Sequence, residues 1–141
     1  MSVGTVWVHT EVAEGSVASI TLEILAKARE ISSDVVAIVG GDGDAVAAEL
    51  GAHGATTVLA TGDLGGALPG PSVAGAMAAA IAGGAAPAAI LIGTTYGGRD
   101  VAGRLSVKLD APVITNIVDL IDEGGLVGTE PVFGGASFVK T

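Results

Sequence analysis

The sequence predicts an α/β fold, a three-layer αβα sandwich with a mostly parallel sheet and added antiparallel strands near the C-terminus. Two wholly apolar runs, residues 35–39 and 88–92, are typical of strands that are buried on both faces of a parallel sheet. Segments with helical spacing of apolar residues follow the strand-like runs as far as residue 109. After Pro112 the strand-like segments follow one another without helices, which indicates antiparallel pairing.

The expected elements alternate along the first part of the chain, where each strand precedes a helix. Strands are expected at residues 3–8, 35–39, 56–60 and 88–92, helices at residues 16–31, 45–50, 71–82 and 99–109, and further strands at residues 113–120, 126–129 and 132–139. The strands are β-branched or apolar runs that are bounded by turn residues. No linker divides the sequence, so one domain over residues 1–141 is expected.

The first helix carries the clearest local signals. The hydroxyl of Ser16 can accept hydrogen bonds from the free backbone N–H groups of a helix that begins just after it. Ile20, Ile24, Ala28 and Ile31 recur at helical spacing, so these four side chains are predicted to form the buried face.

The other helices are supported by spacing and by proline. Glu23 and Lys27 lie four residues apart in the first helix and are predicted to form an ion pair. Pro71 suits the first turn of the third helix, where its missing N–H group costs nothing. Val101, Leu105 and Leu109 recur at a spacing of four and predict the apolar face of the fourth helix.

The composition excludes several classes of function. The chain has 15 acidic and 6 basic residues, a formal net charge of −9, which argues against nucleic acid and anionic membranes as partners. It has no Cys, which excludes disulfide scaffolds, thiolate zinc sites and thiol catalysis. Half of the residues are apolar but only 3% are aromatic, so small aliphatic side chains must fill the core.

One stretch has the composition of a membrane span. Residues 73–93 carry no charge and approach the roughly 20 residues that cross a bilayer. Gly83, Gly84 and Pro87 interrupt this stretch, which therefore predicts a buried helix, a turn and a buried strand. The first five residues include no basic residue, so no signal peptide is expected.

The glycine-rich loop at residues 40–44 invites comparison with phosphate-binding loops. A P-loop needs a Lys that reaches the phosphates, and no Lys is near. The dinucleotide pattern G-x-G-x-x-G fails because Ala and Val follow Asp44. A calcium loop would need a later Gly and a Glu at its twelfth position. The loop therefore predicts a tight turn between a strand and a helix.

Other chemistry-bearing residues form no recognisable constellation. His9 and His53 are the only histidines and lie in separate segments, so no metal site is predicted. Asp119, Asp122 and Glu123 are interpreted as part of a solvated turn. The sequence has no G-x-S-x-G nucleophile motif. No catalytic residue and no metal ligand is therefore predicted.

The segment between the fourth strand and the fourth helix is the best candidate for a contact site. It lies where a parallel strand ends, which is where ligands bind in open α/β sheets. Free N–H groups at a helix start favour anions, and hydroxyl and guanidinium groups could add donors. The residues predicted to contact a partner or an anion are Thr94, Thr95, Arg99, Asp100 and Arg104.

A purely structural interpretation of the same segment is also open. Residues 97 and 98, both Gly, are expected to turn the chain. Asp100 would then lie in the first turn of the helix and favour the helix dipole. Asp100 and Arg104 are four residues apart and can form an ion pair on the surface.

The same segment carries a family resemblance that extends along the chain. Residues 95–109 resemble the electron transfer flavoprotein alpha subunit, whose members show a small polar residue, Gly, Arg or Lys with Asp or Asn, and then a helix containing Arg with Leu or Val. Residues 110–118 resemble the strand that follows in that family. Residues 130–140 resemble the family's run of aromatic-x-Gly-Asn-Ala, and residues 6–8 and 54–59 match as well.

The resemblance implies that residues 1–141 are a single N-terminal domain of such a subunit, with an adenine nucleotide alpha hydrolase-like fold. Gly135 departs from the family pattern because many members have Asn there. The chain stops at Thr141, before the region that forms the flavin-binding domain in the family. FAD is therefore expected in the full-length parent, and no cofactor is expected to be bound to this fragment.

The resemblance also implies a role. The domain would be the heterodimerisation scaffold of a parent that carries electrons on FAD from dehydrogenases to a quinone reductase or another acceptor. The expected partners are the electron transfer flavoprotein beta subunit and, through the heterodimer, dehydrogenases, with neither nucleic acid nor membrane insertion. The protein is expected to be an electron carrier in a bacterial cytoplasm rather than an enzyme.

Two alternatives remain open at the level of sequence. The chain could be a stand-alone nucleotide-binding domain of the universal-stress-protein type. Such proteins usually carry a late G-x-x-G phosphate motif, which the Gly pairs at residues 124–125 and 134–135 do not supply. The chain could also be a self-associating fragment with no cellular role.

Overall fold

The computed structural model describes residues 3–141; Met1 and Ser2, on which the signal-peptide expectation partly rests, lie outside the described residues. Helices separate the strands of the parallel sheet in the first part of the chain, where a short hairpin also follows the first strand, and strands with a short 3-10 turn follow the last helix. In chain order the elements are β1 (Val6–Thr10), β2 (Val12–Ala13), β3 (Ser16–Val17), α1 (Ser19–Ile31), β4 (Val35–Val39), α2 (Asp44–Ala52), β5 (Thr57–Ala60), α3 (Pro69–Ala82), β6 (Ala89–Leu91), α4 (Tyr96–Leu109), β7 (Asp119–Asp122), β8 (Leu126–Val132), the 3-10 turn (Phe133–Gly135) and β9 (Ser137–Lys140).

The central sheet is parallel and has the strand order β5-β4-β1-β6. Val6 at the start of β1 lies opposite Val35 of β4 on one side and Ala89 of β6 on the other. The chain first winds outwards from β1 through β4 to β5, and then crosses to the other side of β1 to form β6. The direction of winding therefore reverses between β1 and β6, which is where ligand crevices form in such sheets.

Helices cover both faces of this sheet. Alternate β1 residues such as Val6 and Val8 pack with α1 and α2, whereas Trp7 packs with α3 and α4. All five β4 residues are buried because β4 lies inside the sheet and both of its faces are covered. The predicted three-layer αβα sandwich is confirmed.

A second, antiparallel sheet is formed by β7, β8 and β9. Leu120 of β7 joins the core on the α1 side. The Lys27 ammonium lies 3.0 Å from an Asp119 carboxylate oxygen and, with the backbone N–H of Leu120, holds the pKa of Asp119 below its usual value. Lys27 also pairs with Glu30, so the predicted pair between Glu23 and Lys27 is wrong. The Lys27 ammonium group of α1 is thus shared between Glu30 of the same helix and Asp119 of the second sheet.

The start of α1 differs from the prediction. Ser16 is part of a short hairpin in which it pairs with Ala13, and α1 begins at Ser19 after Ala18, without a side-chain cap. The fully buried face includes Leu25 in place of Ile24. Ile20 and Ile24 are half-buried because they turn towards the end of β6, where their side chains approach Gly93.

Two of the predicted C-terminal strands are shorter than expected. In the predicted strand at residues 113–120 only Asp119 and Leu120 are in a strand, although the backbone N–H of Val118 also donates to the carbonyl oxygen of Thr129 in β8. The predicted strand at residues 132–139 is interrupted by the 3-10 turn. Phe133 and Gly134 have positive φ values of 52° and 66° there, which breaks the extended path.

Candidate functional site

The segment that follows β6 leads directly into α4. Thr95 is the N-cap of this helix, and its hydroxyl accepts a hydrogen bond from the backbone N–H of Gly98 at 3.0 Å. Because Thr95 caps the helix, α4 begins at Tyr96, and the predicted chain turn at residues 97 and 98 is wrong. Asp100 consequently lies in the second turn of the helix and not in the first.

Gly98 is required by a close approach of two backbone segments. A Cβ atom at this position would lie 1.9 Å from the carbonyl oxygen of Gly93 and 3.1 Å from a side-chain methyl of Ile92. The first turn of α4 therefore packs directly on the backbone that leaves β6. Gly97 and Gly98, which form a turn signal in the sequence, are both helical. Gly98 leaves room for the backbone of Gly93.

The N-terminus of α4 already has an anionic neighbour from this chain. The Thr95 hydroxyl donates to the carboxylate of Glu11, which follows β1. Glu11 is held from the other side because its backbone N–H donates to the Thr21 hydroxyl at 3.0 Å. A carboxylate at a helix N-terminus is favoured by the free N–H groups there. The position that an external anion would take next to Thr95 is thus occupied by Glu11.

Asp100 and Arg104 form the ion pair expected from their spacing. The Arg104 Nε atom lies 2.8 Å from an Asp100 carboxylate oxygen, and both side chains are about half exposed. The other Asp100 oxygen faces α3, since a Cβ atom built on Gly70 would lie 1.9 Å from it. Asp100 therefore ties the outer side of α4 to the start of α3.

The structure divides the predicted site residues into two groups. Arg99, Asp100 and Arg104 line one shallow depression on the outer face of α4. Thr95 is half-buried and points to Glu11, and Thr94 is exposed in the preceding loop; neither of them lines the depression. The α4 residues that complete the depression were not singled out from the sequence. They are Gly103, Val107 and Lys108.

Two buried polar side chains at the end of β1 lack partners. His9 and Thr10 are 5% and 4% exposed. The His9 Nδ1 atom and the Thr10 hydroxyl have no hydrogen-bond partner within residues 3–141. Burial lowers the pKa of His9, and the charge of Glu11 partly opposes this shift. The sequence placed His9 just after a strand but gave no sign that its ring would be buried.

Neutral His9 makes the stability of the fold dependent on pH. The folded chain binds a proton at His9 less readily than the unfolded chain, so acid favours unfolding. Between pH 7.5 and 5.5 we expect the free energy of unfolding to fall, with a slope of up to about 1.4 kcal/mol per pH unit. Thermal unfolding across this range measures the effect. His9→Gln should flatten the profile; a variant profile equal to that of the wild type would contradict this role.

The remaining candidates have structural roles. In the loop at residues 40–44, an Asp42 carboxylate oxygen accepts the backbone N–H of Asp44 at 2.9 Å, which forms the expected tight turn into α2. Asp122 accepts the N–H groups of Gly124 and Gly125, and Glu123 pairs with Lys140 at 3.1 Å.

Within residues 3–141 no three His, Asp or Glu side chains converge to hold a metal ion. His9 is the one buried titratable side chain in the described part of the chain. Its Nδ1 atom accepts or donates no hydrogen bond there, so it is not paired with a nucleophile among those residues. None of the helices formed by these residues has the length and apolarity to cross a membrane.

Comparison with known proteins gives the family. The electron transfer flavoprotein domain matches residues 6–141. The electron transfer flavoprotein subunit alpha of Mycobacterium tuberculosis H37Rv is 34% identical over 139 residues, which cover 96% of this chain and 42% of that protein. The corresponding subunit of Syntrophomonas wolfei is 29% identical over 136 residues, or 95% of this chain and 43% of that protein.

The chain therefore spans about two fifths of the length of the curated relatives that it matches. Protein FixB of Clostridium saccharobutylicum is similar over the same share, with 25% identity across 92% of this chain and 41% of its own length. The match of residues 6–141 covers nearly the whole chain and agrees with the α/β architecture. The chain belongs to the electron transfer flavoprotein family, as an alpha-type member.

Proposed function

We propose that residues 1–141 are the N-terminal domain of an electron transfer flavoprotein alpha subunit and act as its heterodimerisation scaffold. The names of the relatives support this role, because they describe one subunit of a larger electron-transferring protein. In the parent, FAD would carry electrons from dehydrogenases to a quinone reductase or another acceptor. The domain itself would supply contact surfaces and no reacting group.

One observation carries the proposal: the chain has two Phe residues, and both are exposed. Phe133 is 86% exposed and Phe138 is 63% exposed. Monomeric proteins usually place large aromatic side chains inside, and clustered exposed apolar groups mark contact surfaces. A chain with so few aromatic residues gains most from burying them, so a surface outside this domain is expected to cover them.

The same part of the chain carries further exposed apolar side chains. Most of the exposed large apolar residues lie in the last third of the chain. Those in or just before the antiparallel sheet are Val113, Ile114, Val118, Phe133, Phe138 and Val139. The β7–β9 sheet is held to the rest of the domain by Leu120, Leu126 and Lys27, whereas both Phe side chains remain available for contact.

The proposal is tested by co-expression with the cognate electron transfer flavoprotein beta subunit. We expect the chain and the beta subunit to co-purify as a 1:1 complex. Phe133→Ser with Phe138→Ser should weaken the complex at least tenfold, because buried aromatic residues at interfaces contribute about 1–2 kcal/mol or more each. Leu68→Ser, at an exposed apolar residue outside the antiparallel sheet, is the matched control.

Three results would count against the scaffold role. If the wild-type chain does not associate with the beta subunit while the full-length alpha subunit does, the domain is not the heterodimerisation surface. If the purified chain instead releases a bound adenine nucleotide, detected by mass spectrometry, the stand-alone nucleotide-binding alternative replaces it. A stable homodimer that excludes the beta subunit would favour simple self-association.

A further inference from the structure

The outer face of α4 combines positive charge with exposed apolar surface. Arg99, Gly103 and Val107 follow one another at helical spacing along this face, and Arg104 and Lys108 form the adjacent row. Val107 is 83% exposed. Gly103 has open space around it, so another backbone can approach the helix closely there. We call the face formed by these five residues the α4 face.

The positive charge of the α4 face is only partly neutralised within the domain. Arg99 and Lys108 make no ion pair with any residue that the structure describes, and Arg104 pairs with Asp100 alone. The neighbouring helix α3 packs against α4 and contains no charged residue in its 14 residues. Arg99 and Lys108 are therefore available to the carboxylates of another molecule.

This positive face stands out against the charge of the whole chain. The three basic residues and one Asp of α4 give the helix a net charge of +2, whereas the chain as a whole carries −9. The remaining residues therefore carry −11 between them. Half of the six basic residues lie on this one helix. Such a concentration steers association with an acidic surface.

A second copy of this chain does not suit the α4 face. In a two-fold symmetric dimer the same patch faces itself, which would bring basic residues against basic residues. Like charges across an interface are unfavourable. The face is therefore better suited to a different protein that presents carboxylates around a small apolar contact for Val107.

We infer that the α4 face binds an acidic surface of the second subunit of the flavoprotein, with Arg99 and Lys108 opposite its carboxylates and Val107 in the apolar centre. This inference rests on the proposed scaffold function and assigns it a second contact area, separate from the two exposed Phe residues. Charged pairs would surround the apolar contact of Val107, so added salt is expected to weaken the binding.

The test compares two double variants with the same change in net charge. Arg99→Gln with Lys108→Gln removes two positive charges from the α4 face, and Ala45→Glu with Ala48→Glu adds two negative charges to exposed sites on α2. Affinity for the cognate beta subunit is measured at about 50 mM and 300 mM salt. We expect the α4 variant to bind about tenfold more weakly at low salt and to lose less affinity as salt rises. The α2 variant should bind like the wild type.

Amide hydrogen exchange of the wild-type complex provides a readout that needs no variant. Complex formation should slow exchange in residues 96–109. If the α4 variant binds as the wild type does, or if exchange in α4 is unchanged while the Phe residues still matter, this inference is wrong and the scaffold function stands. If the wild-type chain does not bind the beta subunit at all, the scaffold function fails and this inference fails with it.

Discussion

Replacing Gly98 with Ala is expected to lower the free energy of unfolding by about 3 kcal/mol. The added methyl group would lie 1.9 Å from the carbonyl oxygen of Gly93, far inside van der Waals contact. The clashing atom belongs to the backbone, so no side-chain rotation can relieve the overlap. The first turn of α4 would have to move away from the end of β6, which would also stretch the hydrogen bond between Thr95 and Glu11.

Gly103→Ala is the matched control because it lies in the same helix. Nothing is within 4 Å of a Cβ atom at this position. Ala is about 1 kcal/mol more favourable than Gly inside a helix, so this variant should be slightly more stable than the wild type. Urea unfolding at constant pH measures both changes. Equal stability of the two variants would contradict the close approach of α4 to β6.

The sequence predicts correctly which side chains of α4 are buried, because the helical period determines them. It does not predict where a residue must be small because another backbone segment lies close. Val101 and Leu105 are buried as their spacing predicts. The pair of glycines at residues 97 and 98 is a turn signal in the sequence, yet the need for glycine at residue 98 comes from a backbone that lies five residues earlier. The capping role of Thr95 could have been recognised, because Thr is a favoured N-cap residue.

Other differences also arise from tertiary contacts. Ile24 and Leu25 are both suitable for the buried face of α1, and the choice depends on how the helix is rotated against the sheet. The short hairpin that precedes α1 has two-residue strands, which give almost no periodic signal. His9 is similar, because no local pattern indicates that a polar side chain at the end of a strand will be enclosed.

The candidate site was partly predictable for the same reasons. The location at the end of a parallel strand follows from the fold class, and the pair of Asp100 with Arg104 follows from helical spacing. The contact between Glu11 and Thr95 joins residues 84 positions apart in sequence, so only the folded chain brings them together. Glu11 was for that reason absent from the predicted site.

Leu25→Ala is expected to lower the free energy of unfolding by about 3 kcal/mol. Leu25 is completely buried in α1 and belongs to the cluster between the parallel sheet and α1 and α2. Its replacement removes apolar burial and leaves a cavity that neighbouring β-branched residues cannot easily fill. For a domain of this size the loss corresponds to a decrease of roughly 10 °C in melting temperature.

Leu22→Ala, three residues earlier in the same helix, is the matched control because Leu22 is only partly buried. We expect this control to cost about 1 kcal/mol, since less apolar surface is lost. The larger effect should extend to the antiparallel sheet, because Leu120 of β7 belongs to the same cluster as Leu25. Amide exchange in residues 119–122 should therefore accelerate in Leu25→Ala more than in Leu22→Ala. A sheet that carries the exposed Phe residues can present them in a fixed position only if this core holds it, so equal exchange in the two variants would mean that α1 does not support the proposed contact surface.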